Sequence, residues 1–201
     1  MKQDFGRWVK TTASVLVSLS LVGCAVGNRY DYASSIGGLP ISGTGKIALA
    51  VTDARPYVLS GEKKADFVGL QRGGFGNPFD VRTGSGKPLA TEMRDAIAAA
   101  LVKQGFTVGS PTDPAPRKLE LRVLEWKTDV MMKMKILYDL ELSVFDQSGA
   151  VLAQKTTRGE DVSGGGFESQ NASNAARTFE MRFTQLMRDA DIVRALTASP
   201  N

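Results

Sequence analysis

Histidine is absent from the 201 residues, and cysteine occurs once, as Cys24. Without histidine there is no Ser-His-Asp triad, no Cys-His dyad and no imidazole titrating near neutrality. One cysteine permits no intrachain disulfide, and a Cys/His zinc cage lacks its ligands. A strong charge of one sign is missing too, since 25 Lys+Arg face 21 Asp+Glu for a net +4. Nucleic-acid binding calls for clustered bases in large excess, so no nucleic-acid partner is expected. What remains, 42% hydrophobic and 23% charged residues, is the composition of an ordinary folded domain.

The N-terminus supplies an address. Lys2, Arg7 and Lys10 precede a mostly apolar run from Ala13 to Val22, which ends in Leu21-Val22-Gly23-Cys24. That run is too short to cross about 30 Å of hydrocarbon, and a basic start, apolar middle and small end describe a secretory signal. Leu-Val-Gly-Cys resembles the bacterial lipobox, which implies cleavage before Cys24 and acylation of its thiol. The competing reading is an incidental cysteine behind an ordinary signal. Two or three acyl chains suffice for stable membrane attachment. Ala25 rather than aspartate follows the cysteine, which by the same resemblance favours the outer membrane, with the domain facing the periplasm. Removing the signal takes away three bases and one acid, leaving 22 against 20, or +2.

Three parts are expected: a cleaved signal at 1–23, a lipidated cysteine with a flexible tether at 24–45, and one domain at 46–201. The tether assignment rests on Gly, Ser, Asn and Pro between Val26 and Thr44. In the domain, Ile47, Leu49 and Val51 alternate as a strand. Ser60 to Pro88 carries seven glycines and reads as a long loop, with a short strand possible at Phe67 to Leu70. Leu89, Met93, Ala96, Ile97, Ala100 and Leu101 recur at helical spacing before Gly105. Leu119 to Val123, Met134 to Val144 and Ala150 to Val162 form an antiparallel meander. A second helical stripe runs from Ala172 to Val193, with a break at Asp189-Ala190-Asp191. The expected fold is α+β: a two-layer sandwich of about four antiparallel or mixed strands under two helices, in the order β-α-β-β-β-α.

The lipobox, the strand running into Val51-Thr52-Asp53-Ala54-Arg55, the glycine-rich Val68 to Asn77, the helix closing in Gly105-Phe106-Thr107-Val108, and the meander with its C-terminal helix together resemble the YajG-type bacterial lipoproteins. The resemblance covers nearly the whole mature chain. It implies a place in the cell envelope and a fold, rather than an activity.

Candidate chemistry is thin. A Walker A loop ending at Gly86-Lys87 needs glycine at 81 and Ser or Thr at 88, but Val81 and Pro88 stand there. Met131, Met132 and Met134 suit Cu(I) by ligand type, yet methionine ordinarily packs. No metal and no cofactor beyond the lipid on Cys24 is expected. Lys127, Lys133 and Lys135 read as a solvated strand face, with anionic headgroups as the other possibility. Glu160 and Asp161 sit on consecutive strand positions and face opposite sides, which weakens a carboxylate hydrolase. Asp53 and Arg55 leave the strand on its apolar side, either sealing the core edge or meeting a partner. Phe67, Phe75 and Phe79 beside Arg72 and Arg82 read either as the aromatic-arginine mixture of interfaces or as phenylalanines folded back over the helix from Leu89 to Gln104 to complete the core.

The expectation is therefore a non-catalytic envelope lipoprotein that binds a protein partner through Asp53, Arg55, Arg72, Phe75 and Phe79. Lipid or lipopolysaccharide carriage is the alternative, and an envelope hydrolase comes behind it.

Overall fold

The computed structural model describes residues 28–73 and 76–198. The signal, Cys24 and Phe75 lie outside the described residues. Eight strands form one mixed sheet: β1 (Arg29–Tyr30), β2 (Lys46–Asp53), β3 (Phe67–Arg72), β4 (Pro78–Thr83), β5 (Thr107–Gly109), β6 (Arg117–Val130), β7 (Lys133–Asp146) and β8 (Val151–Gly164). Among the described residues four helices accompany it: α1 (Pro56–Leu59), α2 (Leu89–Lys103), α3 (Glu168–Met187) and α4 (Ala190–Thr197). This corrects the expected four strands and two helices.

The physical reasons for the difference are local. Ser60 to Pro88 is not one loop, because β3 and β4 pair there as an antiparallel hairpin. Gly69 in β3 and Pro78 opening β4 interrupt the alternation by which short strands are recognised. Gly69 has φ +155°, and a Cβ there would lie 2.0 Å from Thr128 Oγ1 on β6. Glycine thus lets β3 approach β6 closely enough to pair with it. Strands β1 and β5 are two and three residues long, too short for any periodic pattern.

Strand β6 organises the sheet. Along one edge it pairs antiparallel with β7 over its whole length. Along the other it pairs in parallel first with β2, up to Asp53↔Val123, and then with β3, from Gly69↔Thr128. β2 and β3 therefore lie end to end beside one long strand. A bulge between Val123 and Glu125 changes which residues face inward. Before it Leu119, Leu121 and Val123 are buried, and after it Trp126, Thr128 and Val130 are.

Helix α2 packs on β2 and β5, while α3 and α4 pack on β7 and β8, with α3 also touching β1. Their inward residues share one core with Ile47, Leu49 and the apolar set of β7 from Met134 to Val144. The opposite face of the sheet carries polar pairs such as Arg122–Glu141 across β6 and β7 and Lys118–Glu120 along β6.

Residues 28–45, expected as a flexible tether, are part of this core. Tyr30 and Tyr32 are fully buried, and Ile36, Leu39 and Ile41 nearly so. Tyr32 Oη accepts from Trp126 Nε1 at 2.9 Å, and its backbone N–H donates to Glu92 Oε2 at 3.0 Å. The Gly/Ser-rich composition hid this, because the apolar residues are spaced irregularly around one side of the domain.

Candidate functional site

Between Val123 and Thr128 this edge of β6 is paired with no strand, since β2 has ended and the β3 ladder starts only at Gly69. The chain fills that gap with Ala54-Arg55-Pro56 and α1. Ala54 N–H donates to Val123 O at 2.9 Å. Arg55, fully buried, then spreads its guanidinium across the joint. Nη1 donates to Phe67 O on β3 at 2.6 Å and to Trp126 O on β6 at 3.3 Å. Nε and Nη2 hold both oxygens of Asp53 at 2.8 and 2.7 Å, and Nη2 also reaches Ala65 O at 3.3 Å. Burial works against this charge, but the hydrogen bonds that Arg55 donates to Asp53 and the proximity of Tyr57 and Asp53 raise the Arg55 pKa above its ordinary value. Asp53 and Arg55 form the ion pair that seals the core edge. Arg55 presents no surface to a partner.

A depression of about 530 Å³ opens on the sheet's polar face beside this joint. Leu124 and Leu137 give it an apolar floor, and Ala54 and Pro56 give it one wall. Glu125, Asp139 and Arg158 form its polar rim. The bulge creates the floor, because the extra residue it adds is Leu124, turned away from the core. Tyr57 Oη donates to Glu125 Oε1 at 2.6 Å. Burial and that bond push the Tyr57 pKa above its ordinary value. Across the floor, Arg158 Nε donates to Asp139 Oδ2 at 2.7 Å. The site can hold an apolar group while offering two carboxylates and one guanidinium at its edge. None of Leu124, Glu125, Leu137 or Arg158 was picked out from the sequence. The available signal was Ile136-Leu137-Tyr138, where an apolar residue occupies the wet phase of an otherwise regular strand.

The other candidates lie elsewhere. Arg72 ends β3 and grips Asp129 of β6 with Nε and Nη2, at 2.8 and 2.6 Å. Phe79 on β4 is half-exposed. Asp53 sits opposite Val123 and Gln71 opposite Val130, so seven residues of β6, roughly 23 Å, separate the corner from the hairpin end. The structure does not bring Asp53 and Arg55 together with Arg72 and Phe79. Glu160 pairs with Lys135, and Asp161 with Arg182. Met134 is buried, whereas Met131 and Met132 are exposed. No group of three or more potential metal-ligating residues occurs among the described residues.

The hydrogen bond and charge of Arg72 hold the Asp129 carboxyl below its ordinary value of 3.8. A depressed folded pKa adds stability at neutral pH that begins to fade near the ordinary value and is gone below the folded one. Asp129→Asn is expected to melt slightly below the parent at pH 7, by about 0.2–1 kcal/mol for a partly exposed pair. In thermal melts across pH, that gap should close on acidification.

Neither a family model nor a curated protein matches the chain. Solved structures do. The fold is shared with a DUF330 protein from Xanthomonas campestris, 14% identical, with TM-score 0.50 over 80% of this chain and 91% of that one. More distant likenesses are the PelC dodecamer from Paraburkholderia phytofirmans and a lipoprotein from Neisseria meningitidis. The first is 13% identical over 77% of this chain and 94% of that one, with TM-score 0.38. The second is 10% identical over 73% and 100%, with TM-score 0.30. At such identities the Xanthomonas structure speaks for the fold alone. No helix among the described residues is long and apolar enough to cross a membrane.

Proposed function

We propose that the chain is a bacterial envelope lipoprotein of the YajG type, anchored by acylated Cys24 in the outer membrane and facing the periplasm. It acts as a non-catalytic accessory that binds another envelope protein. The observation that carries the binding role is the depression at the β6 bulge. It is a concave apolar floor on the outer face of the sheet, next to a corner that Arg55 fixes rigidly. A concave site held in shape beforehand binds without the entropic cost of ordering loops. Arg72 and Phe79 belong to the surface that a large partner would extend over. The address rests on Leu21-Val22-Gly23-Cys24 behind its apolar run.

Two measurements test this. Cys24→Ser removes the acyl acceptor, so the protein should leave the outer-membrane fraction for the soluble one; continued sedimentation with that fraction in high salt would reject the anchor. In the lipidated protein, a photo-crosslinking residue at Leu137 should capture a discrete protein adduct. The same residue at Gln154, on the exposed edge strand β8, should not. Equal capture at both positions would remove the depression as the contact.

A further inference from the structure

The point at which the chain enters the domain is fixed. β1 runs parallel to β4 with Arg29↔Arg82, and Arg82 N–H donates to Asn28 O at 3.0 Å. Asn28 therefore lies beside Val81, three residues, or about 10 Å, short of the end of the sheet where β4 begins at Pro78. The backbone N–H of Arg29 also donates to Glu168 Oε1 at the start of α3, at 2.7 Å. Cys24 precedes Asn28 by four residues, a span of at most about 14 Å when fully extended. A lipid on Cys24 can thus clear the end of the sheet by only about 4 Å. One headgroup layer is thicker than that, roughly 5–7 Å.

That same end gathers exposed apolar side chains. It is built from the β6–β7 turn, the ends of β3 and β8, and the residues leading into α3, since Lys133 pairs with Gly164 and Gln71 with Val130. Phe167 and Met132 are 88% and 84% exposed, more than any other large hydrophobic residue among those described. Met131, Val162 and Phe79 are also exposed at this end of the sheet. Lys133, exposed between Met132 and buried Met134, adds a positive charge at the rim.

We propose that this end of the sheet docks on the bilayer that holds Cys24, with Met131, Met132 and Phe167 entering the boundary between headgroups and acyl chains and Lys133 meeting lipid phosphates. The inference rests on the lipid-anchor reading above. Exposed apolar side chains with a lysine beside them are the usual composition of an interfacial membrane contact. The short leash leaves this end no room to stand clear of the membrane. Docking would also fix which way the domain faces, leaving the β6 depression to one side of the contact and open to the periplasm.

The absence of other cysteines supplies the test. Once Cys24 is acylated, a cysteine introduced elsewhere is the one reactive thiol. Acylated full-length protein carrying Met132→Cys, Phe167→Cys, Val102→Cys or Val151→Cys is placed in phosphatidylethanolamine–phosphatidylglycerol vesicles. Acylation is checked by mass, vesicle attachment by flotation, and each thiol is then timed with a water-soluble maleimide. Val102 and Val151 are exposed positions at the opposite end. Positions 132 and 167 should react about tenfold more slowly than 102 and 151. Equal rates at all four positions in protein that floats with the vesicles would overturn the docking and leave the anchor standing. Protein that is not acylated, or does not float, would overturn the anchor and the docking with it. The double variant Met132→Glu, Phe167→Glu, followed by a thiol at Met131, should restore fast labelling while the acyl chains keep the protein on the vesicle. Continued protection of that thiol would equally count against the docking.

Discussion

Arg55→Ala is expected to destabilise the domain by about 3–5 kcal/mol, the usual cost of removing one partner from a buried ion pair. The guanidinium satisfies the carbonyls of Phe67, Trp126 and Ala65 as well as Asp53. Its removal leaves these acceptors facing a void between the ends of β2 and β3. For a domain of this size the melting temperature should fall by roughly 10–15 °C. Arg55→Lys keeps the charge but cannot span the joint with one compact ammonium, so it should recover only part of the loss. Chemical denaturation of the parent and both variants checks this. An Arg55→Ala protein within about 1 kcal/mol of the parent would show that the joint is held by α1 instead.

Trp126→Ala should cost about as much, roughly 3–5 kcal/mol for a fully buried indole. Trp126 meets Tyr32 and Phe179 edge-on, with ring centroids 5.9 and 5.8 Å away. It thereby links β6, the N-terminal segment and α3 in one cluster. The truncation also strands the buried Tyr32 hydroxyl, whose pKa burial pushes far above the ordinary value. Trp126→Phe keeps most of the packing but loses that hydrogen bond, so about 1–3 kcal/mol should be lost. Urea midpoints for the two variants separate packing from the hydrogen bond.

What the sequence made legible was whatever repeats. The alternation of β7 and the helical spacing of α2 and α3 need only several consecutive turns or pleats to appear. The joint at Arg55 was legible as a choice between two roles, because Asp53 and Arg55 continue the inward phase of β2. Its long-range acceptors, Phe67 O and Trp126 O, were not, since backbone carbonyls leave no trace in composition. The β6 bulge was invisible for a related reason. It shifts the phase once, after which Trp126, Thr128 and Val130 look like the end of a pattern rather than its continuation. The depression followed it into obscurity, its floor being Leu124, the bulge residue itself, and Leu137, a single break in an otherwise regular alternation.

The arrangement of β2 and β3 along β6 also sets an order of folding. Ile47 pairs with Arg117 and Gly69 with Thr128, so the N-terminal strands depend on a partner that follows them by 70 and 59 residues. The β6–β7–β8 meander closes through short turns and can assemble locally, whereas those parallel pairings must close long loops first. A chain emerging N-terminus first therefore exposes β2 and β3 before their template exists. Until residue 130 has been released, the β2–β5 pair and the β3–β4 hairpin have no strand to join them. Joining β2 and β3 end to end along β6 is therefore a late step of folding, taken after the meander that contains β6 has formed.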